Sequence, residues 1–212
     1  MRAPMKKPMR ALVLASMLTL ASCVSVLPEP IIPSALIAPP AERAVAPTDP
    51  LQADVAVFMP ESSRAFAGAD IAVRDGQELI YLSDVRWADS APALLQGAVV
   101  NSLSKANGPG RAAPGQLGAQ TDYDLRWRIV DLSTGRETSP VRVEVQVSLM
   151  DSGTRRMIAQ QSFTAGADPS ERSPRARAAA LALAVQKMAD DVAAFVAKTV
   201  VPKPALTPVR PN

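Results

Sequence analysis

Three runs of alternating side chains constrain this chain more than any other feature of it. Tyr123, Leu125, Trp127 and Ile129 alternate with Asp124, Arg126 and Arg128. Val141, Val143, Val145, Val147 and Leu149 alternate with Arg142, Glu144, Gln146 and Ser148. Arg156 to Phe163 repeats the pattern more loosely, through Met157, Ala159 and Phe163. Alternation of period two sends one set of side chains to a core and the other to water, as in an antiparallel sheet with one solvated face. The connections, 133–140 and 151–155, are short enough for hairpins, and the second contains Ser152-Gly153. Such a sheet has an apolar face that other parts of the chain must cover.

Two segments can cover it. Leu94, Leu95, Ala98, Val99 and Leu103 fall at helical spacing. Asp89 or Ser90 can cap that helix, Pro92 is tolerated in its first turn, and Asn107-Gly108-Pro109-Gly110 ends it. Leu181, Val185, Met188, Val192 and Phe195 mark a longer helix that Ser173 caps, with Pro174 at its first position and Pro202 beyond its end. Arg172, Arg175 and Arg177 crowd its start, where positive charge opposes the helix dipole, so they are either solvated or used for contact. Upstream, 54–59 reads as a strand that stops at Pro60. Ile71 to Arg74, Asp75-Gly76 and Glu78 to Ser83 read as a hairpin. Residues 107–121 hold four Gly and two Pro and read as a long flexible loop. The sum is an α+β domain over 54–201: a largely antiparallel sheet with two amphipathic helices packed on one face.

The amino-terminal segment is of another kind. Arg2, Lys6, Lys7 and Arg10 precede an apolar run from Ala11 to Ser22, and Leu20-Ala21-Ser22-Cys23 closes it. About 12 apolar residues fall short of the roughly 20 that a membrane-spanning helix needs. A charged start, a short apolar middle and small residues at the cut describe a signal peptide, residues 1–22. Leucine, two small residues and cysteine resemble the lipobox of bacterial lipoproteins, which implies that Cys23 is acylated and becomes the mature amino terminus. The competing reading is an ordinary thiol at Cys23 and a cut further on. Val24, not Asp, follows the cysteine, which by the known sorting habit of such lipoproteins favours the outer membrane. From residue 23 to 53, Pro28, Pro30, Pro33, Pro39, Pro40, Pro47 and Pro50 occur without a single glycine, and the segment reads as an extended, semi-rigid tether. Ile31, Ile32, Leu36 and Ile37 are more apolar than a spacer needs.

Composition narrows the chemistry. The chain has 23 Lys and Arg against 20 Asp and Glu, but four of the positive residues and none of the acids precede Cys23. From Cys23 onward the balance is 19 to 20, so there is no general nucleic-acid footprint. There is no histidine, and the single cysteine is assigned to acylation. That removes the commonest general base, the commonest metal ligand, thiol catalysis and disulfides. No P-loop, dinucleotide fingerprint, nucleophile elbow or metal-ligand spacing occurs. Asp84, Asp89, Asp122 and Asp124 read as solvated or capping groups, and Asp190-Asp191 as a solvated helix face. The reading is a non-enzymatic protein with no cofactor and no metal. Trp87 reads chiefly as a cover over one end of the core, with partner contact as the alternative; Arg64, Arg74 and Arg86 lie near it in sequence.

Ile71-Ala72-Val73-Arg74, Tyr81, then Arg86-Trp87-Ala88-Asp89-Ser90-Ala91-Pro92 with Leu94-Leu95-Gln96 and Leu103 resembles the auxiliary lipoproteins of ABC-type transport systems that work with MCE-domain proteins. The resemblance follows the element order from Val55 to Val200. It departs at Leu82-Ser83, where a second aromatic is common. It implies a periplasmic α+β domain anchored in the outer membrane, non-enzymatic, joining an inner-membrane ABC lipid transporter and its MCE protein to the outer membrane. Arg74, Tyr81 and Trp87 are then candidate partner contacts, beside Cys23 as the lipidation site, and self-association stays open. The competing functions are an envelope lipoprotein that assists assembly of an outer-membrane protein, and one that binds a lipid in its own fold.

Overall fold

The computed structural model of this protein describes residues 32–136 and 139–202. The signal peptide, Cys23 and most of the carboxyl-terminal tail lie outside the described residues. The described chain from Pro33 onward falls in one structural unit.

The three alternating runs become β6 (Tyr123–Thr134), β7 (Val141–Asp151) and β8 (Met157–Ala167). They pair antiparallel through two hairpins, from Tyr123 opposite Asp151 to Ser133 opposite Arg142, and from Val141 opposite Ala167 to Met150 opposite Met157. Their inward residues Leu125, Val143, Val145, Val147 and Leu149 are fully buried. The alternation read up to Ile129 changes phase there because β6 carries a bulge between Ile129 and Asp131. Val130 is the extra residue. Past it, Leu132 turns inward opposite Val143, while Asp131 and Ser133 join Glu144 and Arg142 on the polar face.

Strand β6 is the spine of the sheet. One edge carries β7 along its whole length. The other is divided: β2 (Val55–Val57) runs parallel to its beginning and β3 (Asp70–Asp75) parallel to its end. Between them, Glu61 bonds through its backbone to Trp127 and Ile129. Strand β3 forms the expected hairpin with β4 (Glu78–Trp87), turning at Gly76 with φ +60°. The sheet is therefore mixed, with its long pairings antiparallel and its short ones parallel.

Two segments differ from their sequence reading. Residues 35–53 are not tether. Strand β1 (Ala35–Ile37) pairs parallel with Val85–Trp87 of β4, and Ser34 donates to the Asp84 carbonyl from its N–H (2.7 Å) and its hydroxyl (2.9 Å). Leu51 and Ala53 are buried. Proline density does not prevent this, because an edge strand three residues long needs few backbone donors. Residues 107–121 are likewise not an open loop: β5 (Ala112–Pro114) lies parallel to β2. The glycines serve close approach, since a Cβ on Gly108 would meet the Leu51 carbonyl and one on Gly110 the Ala53 carbonyl.

Both helices form as their spacing predicts. Helix α1 (Ala91–Ser104) buries Leu95, Val99 and Leu103, and α2 (Pro174–Thr199) buries Leu181, Val185, Met188, Val192 and Val196. They pack on each other, and α2 crosses β7 and β8. The hydroxyl of Ser173 accepts from the Ala176 N–H at 3.2 Å, closing the start of α2. Ser90 makes no such side-chain bond; instead the Asp89 carboxylate accepts from the Ser90 N–H at 2.6 Å. Phe163 of β8 and Phe195 of α2 meet edge to face, 5.6 Å apart.

Asp190 is not on a solvated face. Its Oδ1 accepts from the Ser102 hydroxyl (2.6 Å), the Gln186 amide (3.0 Å) and the Val45 N–H (3.1 Å). One carboxylate thus ties α1, α2 and residues 44–46 together, with Ser102 and Gln186 buried beneath it. Asp190→Ala strands these donors. The expected loss is about 2–3 kcal/mol in urea unfolding, against less than about 0.5 kcal/mol for Asp191→Ala next to it, which is exposed.

Candidate functional site

The face of the sheet opposite the helices carries no covering element among the described residues, and it holds the polar set from the alternating runs. Its charges are gathered at two buried aspartates. Asp131, with a side chain 10% exposed, accepts from Arg74 (3.0 Å) and the Ser133 hydroxyl (2.7 Å), with Arg142 at 3.8 Å. Arg142 also reaches Glu144 at 2.6 Å, and that hydrogen bond and charge raise the guanidinium above its ordinary pKa. At the other end, Asp124 accepts from the Ser152 hydroxyl (2.9 Å), with Arg126 at 3.7 Å and Arg155 at 4.0 Å. Asp124 thus sits on the polar side as its register requires, yet it is buried by its arginine neighbours.

Between the two aspartates lies a shallow hollow of about 260 Å³, lined by Phe58, Glu61, Arg126, Arg128, Gln146 and Ser148 among others. The Arg126 guanidinium stacks 4.0 Å over the Phe58 ring, whose other neighbour is Gly115; a Cβ there would press on the ring at 2.9 Å. The Trp127 indole N–H donates to the Phe58 carbonyl at 2.6 Å and fixes that segment to β6. The face offers several guanidiniums, two carboxylates held by arginines and an aromatic ring. It suits recognition of a charged protein surface.

The sequence-derived candidates are dispersed. Arg74 belongs to the Asp131 cluster, on the open face. Tyr81 is 49% exposed on β4. Trp87 is 2% exposed: it packs in the core opposite Ile37, where β1 covers it. Cys23 lies outside the described residues. Of the other carboxylates singled out in the sequence, those of Asp122 and Asp89 are used locally. Asp122 accepts from the Asp54 N–H at 3.1 Å, Asp89 from Ser90, and Asp84 adopts φ +61° within β4 and lends its carbonyl to Ser34. Among the described residues no group of three or more His, Cys, Asp or Glu is arranged to hold a metal, and no helix is long and apolar enough to cross a membrane.

Sequence reasoning missed two features of this surface. Strand β8 is an edge strand of 11 residues, Met157 to Ala167, without one charged side chain, although Met157 and Ile158 are half exposed. A second hollow, of about 370 Å³, joins Ile80, Tyr81 and Ser83 of β4 to Arg136, Arg172 and Arg177. The crowding of arginines at the start of α2 was its only signal.

Residues 35–193 match the family model described as "ABC-type transport auxiliary lipoprotein component". No curated protein matches the chain. Among solved structures, a crystal structure of a Xanthomonas campestris protein is similar at 21% identity, covering 78% of this chain and 96% of that one, with a TM-score of 0.68. A second crystal structure is similar at 12% identity over 72% and 96% of the two chains, TM-score 0.57. A putative lipoprotein from Caulobacter crescentus shares 16% identity over 50% and 77%, with a TM-score of 0.37. At these identities the first two likenesses speak for the fold, and the third is too distant to argue from.

Proposed function

The chain belongs to the ABC-type transport auxiliary lipoprotein family, and from that premise we propose a non-catalytic lipoprotein, anchored in the outer membrane through acylated Cys23, that serves an MCE-type ABC lipid transporter by binding its MCE-domain protein. Membership carries lipoprotein character and association with an ABC transport system, and the family is not one of enzymes. The match over residues 35–193, joined to the lipobox-like Leu20-Ala21-Ser22-Cys23, is the observation that carries the reading. The absence of histidine from the sequence supports a protein that binds rather than catalyses. The open sheet face is the surface assigned to the MCE protein, since Arg126, Arg128 and Gln146 stand there without a covering element.

A photo-reactive residue at Arg128 or Gln146, in cells with the intact transport system, is expected to crosslink to an MCE-domain protein. The same probe at Asp49, away from the open face, is expected not to. No crosslink from either open-face position would sink this assignment. An ATPase, a permease and an MCE protein encoded beside this chain is the matching genetic expectation.

One observation favours self-association as a second reading. Natural edge strands are guarded by charge, proline or bulges; β8 has neither charge nor proline, and its bulge, at Ile158, lies near its start and leaves 159–167 unguarded. Two copies can pair β8 to β8 without like-charge repulsion. Sedimentation is expected to show concentration-dependent association that Gln160→Lys weakens; a chain monomeric throughout would dismiss it.

A further inference from the structure

The arginines at the start of α2 run against its dipole. The first turn of a helix favours carboxylates, and α2 has no acid there. Arg177 bears a second cost: burial pulls its guanidinium below the ordinary pKa. Its Nη1 donates to the Gly135 carbonyl at 3.1 Å, while its Nε has no acceptor among the described residues. Arg136, paired with Asp75, and Arg172 line the same 370 Å³ hollow. Opposite them stands Ile80, 43% exposed, on the same side of the sheet as its register partner Val73, whereas the neighbouring Tyr81, paired with Ala72, turns to the other face. Cations facing an exposed apolar side chain suit an amphiphile with an anionic head.

Ser34, near the start of the described fold, bonds to Asp84, one residue from Ser83 on the rim of the hollow. Eleven residue steps separate Ser34 from Cys23, and at 3.3–3.6 Å each they span at most roughly 40 Å. We propose that this arginine-lined hollow engages the phosphate headgroups of anionic phospholipids in the membrane that holds the Cys23 acyl chains, making a second, electrostatic contact that orients the domain. The inference rests on acylation of Cys23, and it does not require an MCE partner. An acyl chain together with a basic patch is a known route to stable membrane attachment.

Acylation consumes the only native cysteine, so Ile80→Cys introduces the single free thiol in the mature protein. Lipidated protein is reconstituted into vesicles of phosphatidylcholine alone, or of equal phosphatidylcholine and phosphatidylglycerol. The readout is the rate at which a water-soluble maleimide modifies that thiol. Modification is expected to be about tenfold slower in the phosphatidylglycerol vesicles, and the slowing is expected to vanish with Arg172→Gln and Arg136→Gln together. A thiol from Ser162→Cys on β8 is expected to react equally in both, and circular dichroism checks that each variant is folded. Equal rates in the two vesicle types overturn the proposal. So does protection by inorganic phosphate as strong as by vesicles, which assigns the site to the free anion, and so does protection given only by a partner protein. If the protein does not enter vesicles at all, the acylation reading fails. The Cys23→Ser, Ile80→Cys chain with added vesicles then tests the hollow alone, and unchanged reactivity there overturns it.

Discussion

Cys23→Ser is expected to abolish acylation completely and to leave unprocessed precursor in or on the inner membrane. The effect should be all-or-none, because the sequence holds no second cysteine to substitute. One acyl chain binds a bilayer only marginally, and stable attachment needs two or more signals. Removing the acceptor removes them together, and an arginine-lined hollow does not replace them. Metabolic labelling with palmitate and membrane fractionation read the outcome directly. Thermal unfolding should not change, because among the described residues the first that bonds to the fold is Ser34, eleven positions later. That separation distinguishes lost anchoring from misfolding. A serine variant that still fractionated with the outer membrane would end the lipoprotein reading.

The parts of the fold legible in the sequence were those with a long periodic signal. Val141 to Leu149 places five side chains inward in a row, and the stripe from Leu181 to Val192 fixes one face of α2 over three turns. The stop in alternation after Ile129 was visible, but its cause was not: Val130 is as apolar as Ile129 before it, and only the register with β7 identifies it as a bulge. Three-residue parallel strands leave no period to read. Hence β1 and β5 vanished into proline-rich and glycine-rich composition, and Gly108 and Gly110 were taken as freedom when they are points of contact with Leu51 and Ala53. Asp190 looked solvated because its helix position is polar; what covers it comes from Val45, 145 residues away. Surface sites suffer the same blindness. The arginines before and in α2 were visible as an electrostatic misfit, but the hollow also needs Arg136 and Ile80, which only the tertiary fold brings near. Trp87 was legible as a core cover, and Ile37 is the reason it stays one.

That pairing gives the second large effect. Deleting residues 24–33 should leave the stability of the domain unchanged, because their removal breaks none of the described hydrogen bonds. Extending the deletion through Ile37 should cost about 2–4 kcal/mol. It removes the Ser34 bonds to Asp84, the Ile37 carbonyl that accepts from Ala88, and the strand that covers Trp87, now 2% exposed. Buried indole surface contributes most of the loss, since a tryptophan opened on one side loses both its hydrophobic burial and its packing. At roughly 2–4 °C per kcal/mol for a domain of this size, the melting temperature should fall by about 5–15 °C. Tryptophan emission should shift to the red as Trp87 meets water, while Trp127, held by the Phe58 carbonyl, keeps its environment. A tether reaching to residue 53 makes both deletions equally silent. A folded β1 separates them, and it shortens the distance over which the domain can leave its membrane. Unfolding in urea, followed by fluorescence on the two truncations, decides between them: coincident curves would return residues 35–37 to the tether.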